Sequence, residues 1–156
     1  MQSSRSQGIE GSSDSKNRVR GCKGSGGGSS EVLKNYKELQ VWQKGYQLCL
    51  RLYKITKKFP KEEHYGLISQ IRRAAVSVPS NIAEGYGRKT TPDYLRSLYI
   101  AYGSNCELET QIMLSRDLDY IPSNDSEKLL NDIRDVERML KALIKSLENK
   151  CLSTGR

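Results

Sequence analysis

Apolar side chains recur at helical spacing after Asn35, in two neighbouring rows. The first row, stepping by four, three, four and three residues, consists of Trp42, Tyr46, Cys49, Tyr53 and Thr56. The second row consists of Leu48, Leu52, Ile55 and Phe59. Together they predict a first helix from about Asn35 to Phe59 with a wide apolar face. Both rows can face a bundle interior, or one of them can face a second contact such as a neighbouring subunit.

A second helix is predicted from about Glu62 to Glu84. Pro60 ends the first helix, because a proline disfavours the α region for the residue before it. The apolar row of the second helix consists of Ile68, Ile71, Ala75, Val78 and Ile82. Pro79 lies inside this row, and the row resumes after it, so we expect a bend there rather than a helix end. Gly85 and Gly87 are expected to cap the helix and to turn the chain.

Capping signals mark the start of two further helices. Thr91, Pro92 and Asp93 provide a hydroxyl cap, a proline at the first helical position and an acid near the positive helix end. The inner side of this third helix, which should extend to Leu118, is expected to consist of Leu95, Leu98, Tyr102, Glu109 and Ile112. Gly103 in mid-helix costs about 1 kcal/mol relative to alanine, which suggests that another helix backbone comes close there.

The fourth helix begins at the Ser123–Ser126 cap and completes the predicted fold. Its apolar row, with a 3.5-residue period, consists of Leu129, Ile133, Val136, Leu140, Leu143 and Leu147. Four long helices with short connections predict an all-α, antiparallel up-and-down four-helix bundle over residues 35–150. Residues 151–156 are then expected to form a short C-terminal tail.

Residues 1–34 are expected to form a disordered tail. The first thirty hold nine Ser and seven Gly, with Ile9 and Val19 as their only aliphatic residues. Such a segment buries too little apolar surface to offset the entropy of ordering it. The same thirty residues contain five basic and two acidic residues, so the tail is either a spacer or a cationic arm for nucleic acid.

Composition argues against a membrane protein, a secreted protein and a metalloenzyme. The longest apolar run, Leu98–Tyr102, has about five residues, against the roughly 18 of a membrane span, and no secretion signal follows the first basic residues. The cysteines are far apart, and His64 is the only histidine, so neither a zinc site nor a di-iron site with two Glu-x-x-His pairs can form. We expect a cytoplasmic protein with no metal, cofactor or enzymatic activity.

Two arginines of the second helix and two acids of the third predict a polar layer. Arginine forks bind carboxylates through two hydrogen bonds, so we expect Arg72 or Arg73 to pair with Glu107 or Glu109, inside the bundle or at a subunit boundary. A direct phosphate contact by one of the arginines is the alternative. The predicted layer consists of Arg72, Arg73, Asn81, Glu84, Glu107 and Glu109.

The net charge of +8 is concentrated on the first helix, where residues 32–61 contain eight basic residues and one acid. Lys37, Lys44, Arg51 and Lys58 recur every seven residues, and we call them the heptad row. We expect this row to be solvated and to bind phosphate backbones through counterion release; an ordinary solvated lysine-rich face is the alternative. The candidate nucleic-acid-binding residues are Lys37, Lys44, Arg51, Lys54, Lys58, Arg88 and Lys89.

Several short motifs occur in the order found in one known family. They are Leu39–Trp42, Phe59-Pro60 with Glu63, Tyr65–Leu67, Gln70–Ala75, Asn81–Gly85, Arg88, and Gly103-Ser104 with Glu107 and Glu109. Across residues 36–147 the chain therefore resembles the four-helix-bundle family of 23S rRNA-intervening-sequence proteins.

The resemblance implies an assembly and a function. Similar proteins form homopentameric barrels, some are encoded inside intervening sequences of ribosomal RNA, and related ones are accessory proteins of diversity-generating retroelements. The expectation is a non-enzymatic, oligomeric RNA- or nucleic-acid-binding accessory protein, with a reverse transcriptase as a possible partner. The alternative is a structural or protein-interaction bundle with no direct nucleic-acid contact.

Overall fold

The structure is a computed structural model that describes residues 34–154, so the predicted N-terminal tail up to residue 33 lies outside the described residues. Its four helices are α1 (Gln40–Thr56), α2 (Leu67–Tyr86), α3 (Thr91–Asp117) and α4 (Ser123–Thr154). Two short 3-10 segments, Tyr36–Glu38 and Lys61–His64, precede α1 and α2. The described part contains no strand, which confirms the all-α prediction with four helices.

The helices pack as a bundle in which each contacts its neighbour in sequence, and α1 also contacts α4. The side chains that are less than 2% exposed come from all four helices and include Leu52, Ile71, Leu108 and Leu140. The second apolar row of α1 faces this core. The first row is peripheral from Trp42 to Tyr53, since Tyr46 is 44% and Tyr53 is 37% exposed, but its last member, Thr56, is buried at 1%.

Helix α1 is shorter than predicted at both ends. Its N-terminal extension is a separate 3-10 turn capped by the Asn35 side chain, which accepts a hydrogen bond from the Lys37 backbone N–H at 2.9 Å. At the other end, Lys58 N–H donates to the Ile55 carbonyl at 3.0 Å, a tightened turn that precedes Pro60.

Helix α2 starts five residues later than predicted because Glu63 caps it from outside. The Glu63 carboxylate accepts the Leu67 backbone N–H at 2.9 Å, which satisfies a donor left free at the helix start. The helix continues through Pro79, as expected. At its end Gly87 keeps a right-handed conformation with φ −78°, so the cap there requires no left-handed glycine.

A neighbouring helix packs tightly against a different glycine from the one predicted. A Cβ atom on Gly85 would lie 2.6 Å from Cδ2 of Tyr94 and 3.0 Å from Cβ of Ser97, so α2 and α3 require glycine here. A Cβ on Gly103 would meet nothing within 4 Å. The predicted close approach at Gly103 is therefore wrong within the subunit, because Gly103 lies on the exposed side of α3.

Alanine at the two glycines is expected to have opposite effects. Gly85→Ala should destabilise the fold by about 1–3 kcal/mol through overpacking against Tyr94. Gly103→Ala should stabilise it by up to about 1 kcal/mol, because alanine has the higher helix propensity and finds open space. Urea unfolding of both variants measures the difference, and an equal loss in both would contradict the assignment.

Helices α3 and α4 depart from their predicted patterns in detail. Tyr102 and Glu109, expected on the inner side of α3, are half-buried, and the buried row consists of Leu98, Ala101, Asn105, Leu108 and Ile112. Helix α4 runs to Thr154. Most of the expected tail at 151–156 is therefore helical.

Candidate nucleic-acid interface

The two middle residues of the heptad row form ion pairs with acids of α4. Lys44 Nζ lies 3.2 Å from Asp135 Oδ2 and 4.0 Å from Asp132 Oδ1. Arg51 pairs with the same Asp132, whose side chain is only 18% exposed. Lys44 and Arg51 thus join α1 to α4. Their side chains are 43% and 57% exposed, but their charges are paired with acids.

A group of four unpaired lysines lies at the C-terminal end of α1. Lys54 is in the last turn of α1, Lys57 and Lys58 follow in the turn, and Lys61 starts the 3-10 segment. All four are exposed, and none forms an ion pair with a carboxylate of the described residues. We call these four residues the lysine corner.

The other predicted binding residues lie elsewhere. Lys37 is exposed in the 3-10 turn before α1. Arg88 pairs with Glu84 one turn back on α2, while Lys89 is exposed in the connection to α3. Because the twenty residues of α2 span roughly 30 Å at 1.5 Å per residue, Arg88 and Lys89 do not join the lysine corner.

The two adjacent arginines of α2 have different environments. Arg73 Nη2 lies 3.2 Å from Glu107 Oε2, and both side chains are about half or more exposed, at 64% and 48%. This pair lies on the surface rather than in the interior where a polar layer was expected, and its predicted role at a subunit boundary stays a prediction. Arg72 instead donates from Nε to Thr56 Oγ1 at 3.0 Å, and its guanidinium lies 5.0 Å from the centre of the Tyr53 ring.

The remaining members of the predicted layer do not converge. Glu84 is exposed and bound to Arg88, and Glu109 lies 3.7 Å from Arg134 of α4. Asn81 donates to the Ser77 carbonyl at 2.8 Å within α2. The structure therefore separates these residues into local pairs, because each finds a partner on its own helix or on α4.

A smaller set of polar side chains between the helices was not predicted from the sequence. Ser77 Oγ and Ser104 Oγ are 2.8 Å apart across α2 and α3, and Asn105 donates to the Ile133 carbonyl of α4 at 3.0 Å. Asn105 is 1% exposed, and its Oδ1 has no partner among the described residues. The signal for Asn105 was its place in the row of Leu98, Ala101, Leu108 and Ile112.

A further cation of the bundle is also neutralised. Lys141 lies 2.6 Å from Glu137 Oε1, and Tyr102 donates to the same carboxylate at 3.3 Å. The hydrogen bond from Lys141 lowers the pKa of Glu137 below its ordinary value, and the bond to Glu137 raises the pKa of Lys141. This cluster joins α3 to α4 and leaves no free charge for a ligand.

Residues 34–154 bring no three His, Cys, Asp or Glu side chains together in a cluster that could hold a metal ion. Among these residues, no helix combines the length and apolar character needed to cross a bilayer.

Comparisons with known proteins agree on one family. The family model of the 23S rRNA-intervening sequence proteins matches residues 37–142, more than half of the chain. No curated protein matches the chain. Among solved structures, it is similar to a protein of unknown function from the S23 ribosomal protein family of Bacteroides thetaiotaomicron VPI-5482, with 24% identity and a TM-score of 0.64. The match covers 67% of this chain and 98% of that one, and it shows a common fold. The chain belongs to the family of 23S rRNA-intervening sequence proteins.

Proposed function

We propose that this protein is a non-enzymatic, oligomeric accessory protein that binds RNA or other nucleic acid through the lysine corner. One observation carries the proposal: the lysines of the corner have no carboxylate partner among the described residues, whereas Lys44 and Arg51 are paired with α4. Unpaired, exposed lysines are the groups that release counterions when they neutralise phosphates. Such contacts carry no base information, so we expect binding with little sequence preference.

The proposed assembly is an antiparallel bundle in a closed homo-oligomer. Contacts that run in opposite sequence order support antiparallel helices: Lys44 meets Asp135 while Arg51 meets Asp132. The peripheral row of α1 supports an assembly, because Trp42 and Tyr46 stack at 5.2 Å on a face with exposed Val76. Burial of this face by a second copy would remove apolar area from water. Five subunits is the count that the family resemblance implies.

Oligomerisation would strengthen RNA binding, which is weak when only one lysine corner contacts the RNA. Each subunit repeats the lysine corner, and contacts made by neighbouring subunits to one RNA become intramolecular after the first. The resemblance to accessory proteins of diversity-generating retroelements makes a reverse transcriptase a candidate protein partner. A cytoplasmic location would suit both RNA and such a partner.

The second candidate function is a protein-interaction bundle. The exposed apolar residues of α3 favour it, since Tyr99, Ile100 and Leu114 are about half exposed. Under this alternative the corner lysines only stabilise α1, because cations at a helix C-terminus interact favourably with the helix dipole.

A salt titration of RNA binding separates the two functions. Fluorescence anisotropy with a labelled single-stranded RNA should show log affinity falling linearly with log salt, by about 0.7 per phosphate contact. A flat dependence, or undetectable binding at low salt, would favour the protein-interaction function. Light scattering of the same samples reports whether the oligomer persists across the titration.

A further inference from the structure

A cavity opens beside the lysine corner, between the end of α1 and the start of α2. It has a volume of about 340 Å³, and it is lined by Thr56, Lys57, Phe59, Lys61, His64, Ile68 and Arg72. This volume lies at the lower end of the range of ligand clefts, roughly 300–1,000 Å³. Its apolar lining residues are Phe59 and Ile68, and its ionisable lining residues are two lysines, an arginine and a histidine. No carboxylate lines it.

Arg72 is held in place without being neutralised. Its Nε donates to Thr56 Oγ1 at 3.0 Å, and its guanidinium lies over the Tyr53 ring. Its two Nη atoms have no acceptor among the described residues. Arg73, the next residue, uses Nη2 on both Gln70 and Glu107. Arg72 therefore presents a fixed fork with free donors at the cavity.

Two acids follow Lys61 in the 3-10 segment. Glu62 is exposed and does not line the cavity, and Glu63 is turned to other partners. Glu63 precedes His64, yet one of its oxygens accepts the Leu67 backbone N–H at 2.9 Å and the other accepts the Tyr120 hydroxyl at 3.2 Å. Its charge is thus used to cap α2 and to bind the loop before α4. The cavity keeps an excess of positive charge that no carboxylate among its lining residues offsets.

The geometry points to a phosphate-binding site in this cavity, with Arg72 as a bidentate donor and Lys57 and Lys61 as flanking charges. A planar guanidinium fork matches two phosphate oxygens, whereas lysine ammonium groups bind phosphate as point charges. This inference rests on the proposed function in one respect: the phosphate is taken to belong to a nucleic-acid backbone, which the adjoining lysine corner would hold on either side.

The first experiment compares Arg72→Lys with Arg96→Lys. Arg96 is the matched control, because it is exposed on α3 and forms no ion pair with a carboxylate of the described residues. Lysine keeps the charge but loses the fork, so Arg72→Lys should lower the affinity for single-stranded RNA by about tenfold with an unchanged salt slope. Arg96→Lys should leave the affinity as it is. Equal affinities in both folded variants would overturn the site.

A second pair of variants covers the case in which Arg72→Lys disturbs the fold through its lost bond to Thr56. His64 is exposed, so His64→Glu and His64→Gln should both fold. The added carboxylate of His64→Glu repels phosphate and should weaken RNA binding several-fold, and the weakening should be clearly smaller in His64→Gln, whose side chain is similar in size but uncharged. If both variants bind as the parent does, the cavity is not the phosphate site.

Inorganic phosphate separates failure of the site from failure of the proposed function. Phosphate should raise the melting temperature of the parent protein more than chloride at equal ionic strength, and this gain should be smaller in His64→Glu, because phosphate stabilises folded proteins in general and only the part that comes from the cavity is lost. A gain that is larger in the parent than in His64→Glu, without RNA binding, supports the site and refutes the nucleic-acid function. RNA binding that is insensitive to both variant pairs supports the function and refutes the site.

Discussion

Replacing Lys54, Lys57, Lys58 and Lys61 together with glutamine is expected to lower RNA affinity by roughly 10²–10³-fold at moderate salt. Each lost phosphate contact removes about 0.7 from the log–log salt slope for a single strand, and a similar number of log units of affinity near 0.1 M salt. The melting temperature should change little, because the four side chains are exposed and have no ion-pair partner among the described residues. Anisotropy and thermal unfolding of the same variant measure both quantities.

The matched control is the double variant Lys44→Gln with Arg51→Gln. It leaves Asp132 without its cationic partners at 18% exposure, whereas Asp135 keeps its pair with Arg138. We expect a loss of about 1 kcal/mol in the free energy of unfolding, since the lysine and arginine are about half exposed and solvent screens the pairs. RNA affinity should change little. The opposite result, in which the control loses RNA affinity and the lysine-corner variant keeps it, would show that Lys44 and Arg51 bind the RNA.

The assembly is expected to dissociate when carboxylates are placed on the peripheral aromatic face. Tyr46 is 44% and Val76 is 43% exposed in the subunit, so Tyr46→Glu with Val76→Glu should fold while opposing burial of the face. Light scattering should return a mass several times the 17.6 kDa of the chain for the parent, and the single-chain mass for the variant. Leu152→Glu, at a residue that is 76% exposed on α4, is the control and should leave the oligomer intact.

Two outcomes would contradict this assignment. A parent protein that is monomeric at micromolar concentration would exclude the homo-oligomer and, with it, the repeated corner. An oligomer that survives both glutamates would place the subunit contact on another surface, such as the exposed side of α3 that contains Gly103.

Helical periodicity predicted the four helices because each apolar row is a local property of its own segment. The ends of the helices were less predictable, since the start of α2 depends on the Glu63 side chain reaching forward to Leu67. The packing of neither glycine could be predicted from sequence, because it depends on which side chains of another segment lie across from Gly85 and Gly103. Local spacing cannot report such a neighbour.

The sequence predicted that the candidate site is positively charged, but it did not predict which of its cations pair with acids. The excess of lysine on α1 is visible in the sequence, but the carboxylates that neutralise Lys44 and Arg51 lie more than eighty residues further along the chain. The same limit applies to Arg72 and Arg73. They are adjacent in sequence and face Thr56 and Glu107 respectively.

The ion pairs between α1 and α4 also set the register of these two helices, that is, their relative position along the helix axis. Apolar rows with a seven-residue repeat can pack almost as well after one helix shifts by a heptad. A shift of α4 in one direction would place Met139 and Ala142 opposite Lys44 and Arg51. A shift in the other direction would keep an acid, Asp125, against Arg51 but would place Lys128 against Lys44, a contact between like charges. Only the observed register sets Asp132 and Asp135 against both cations, so these surface charges select one alignment of the core.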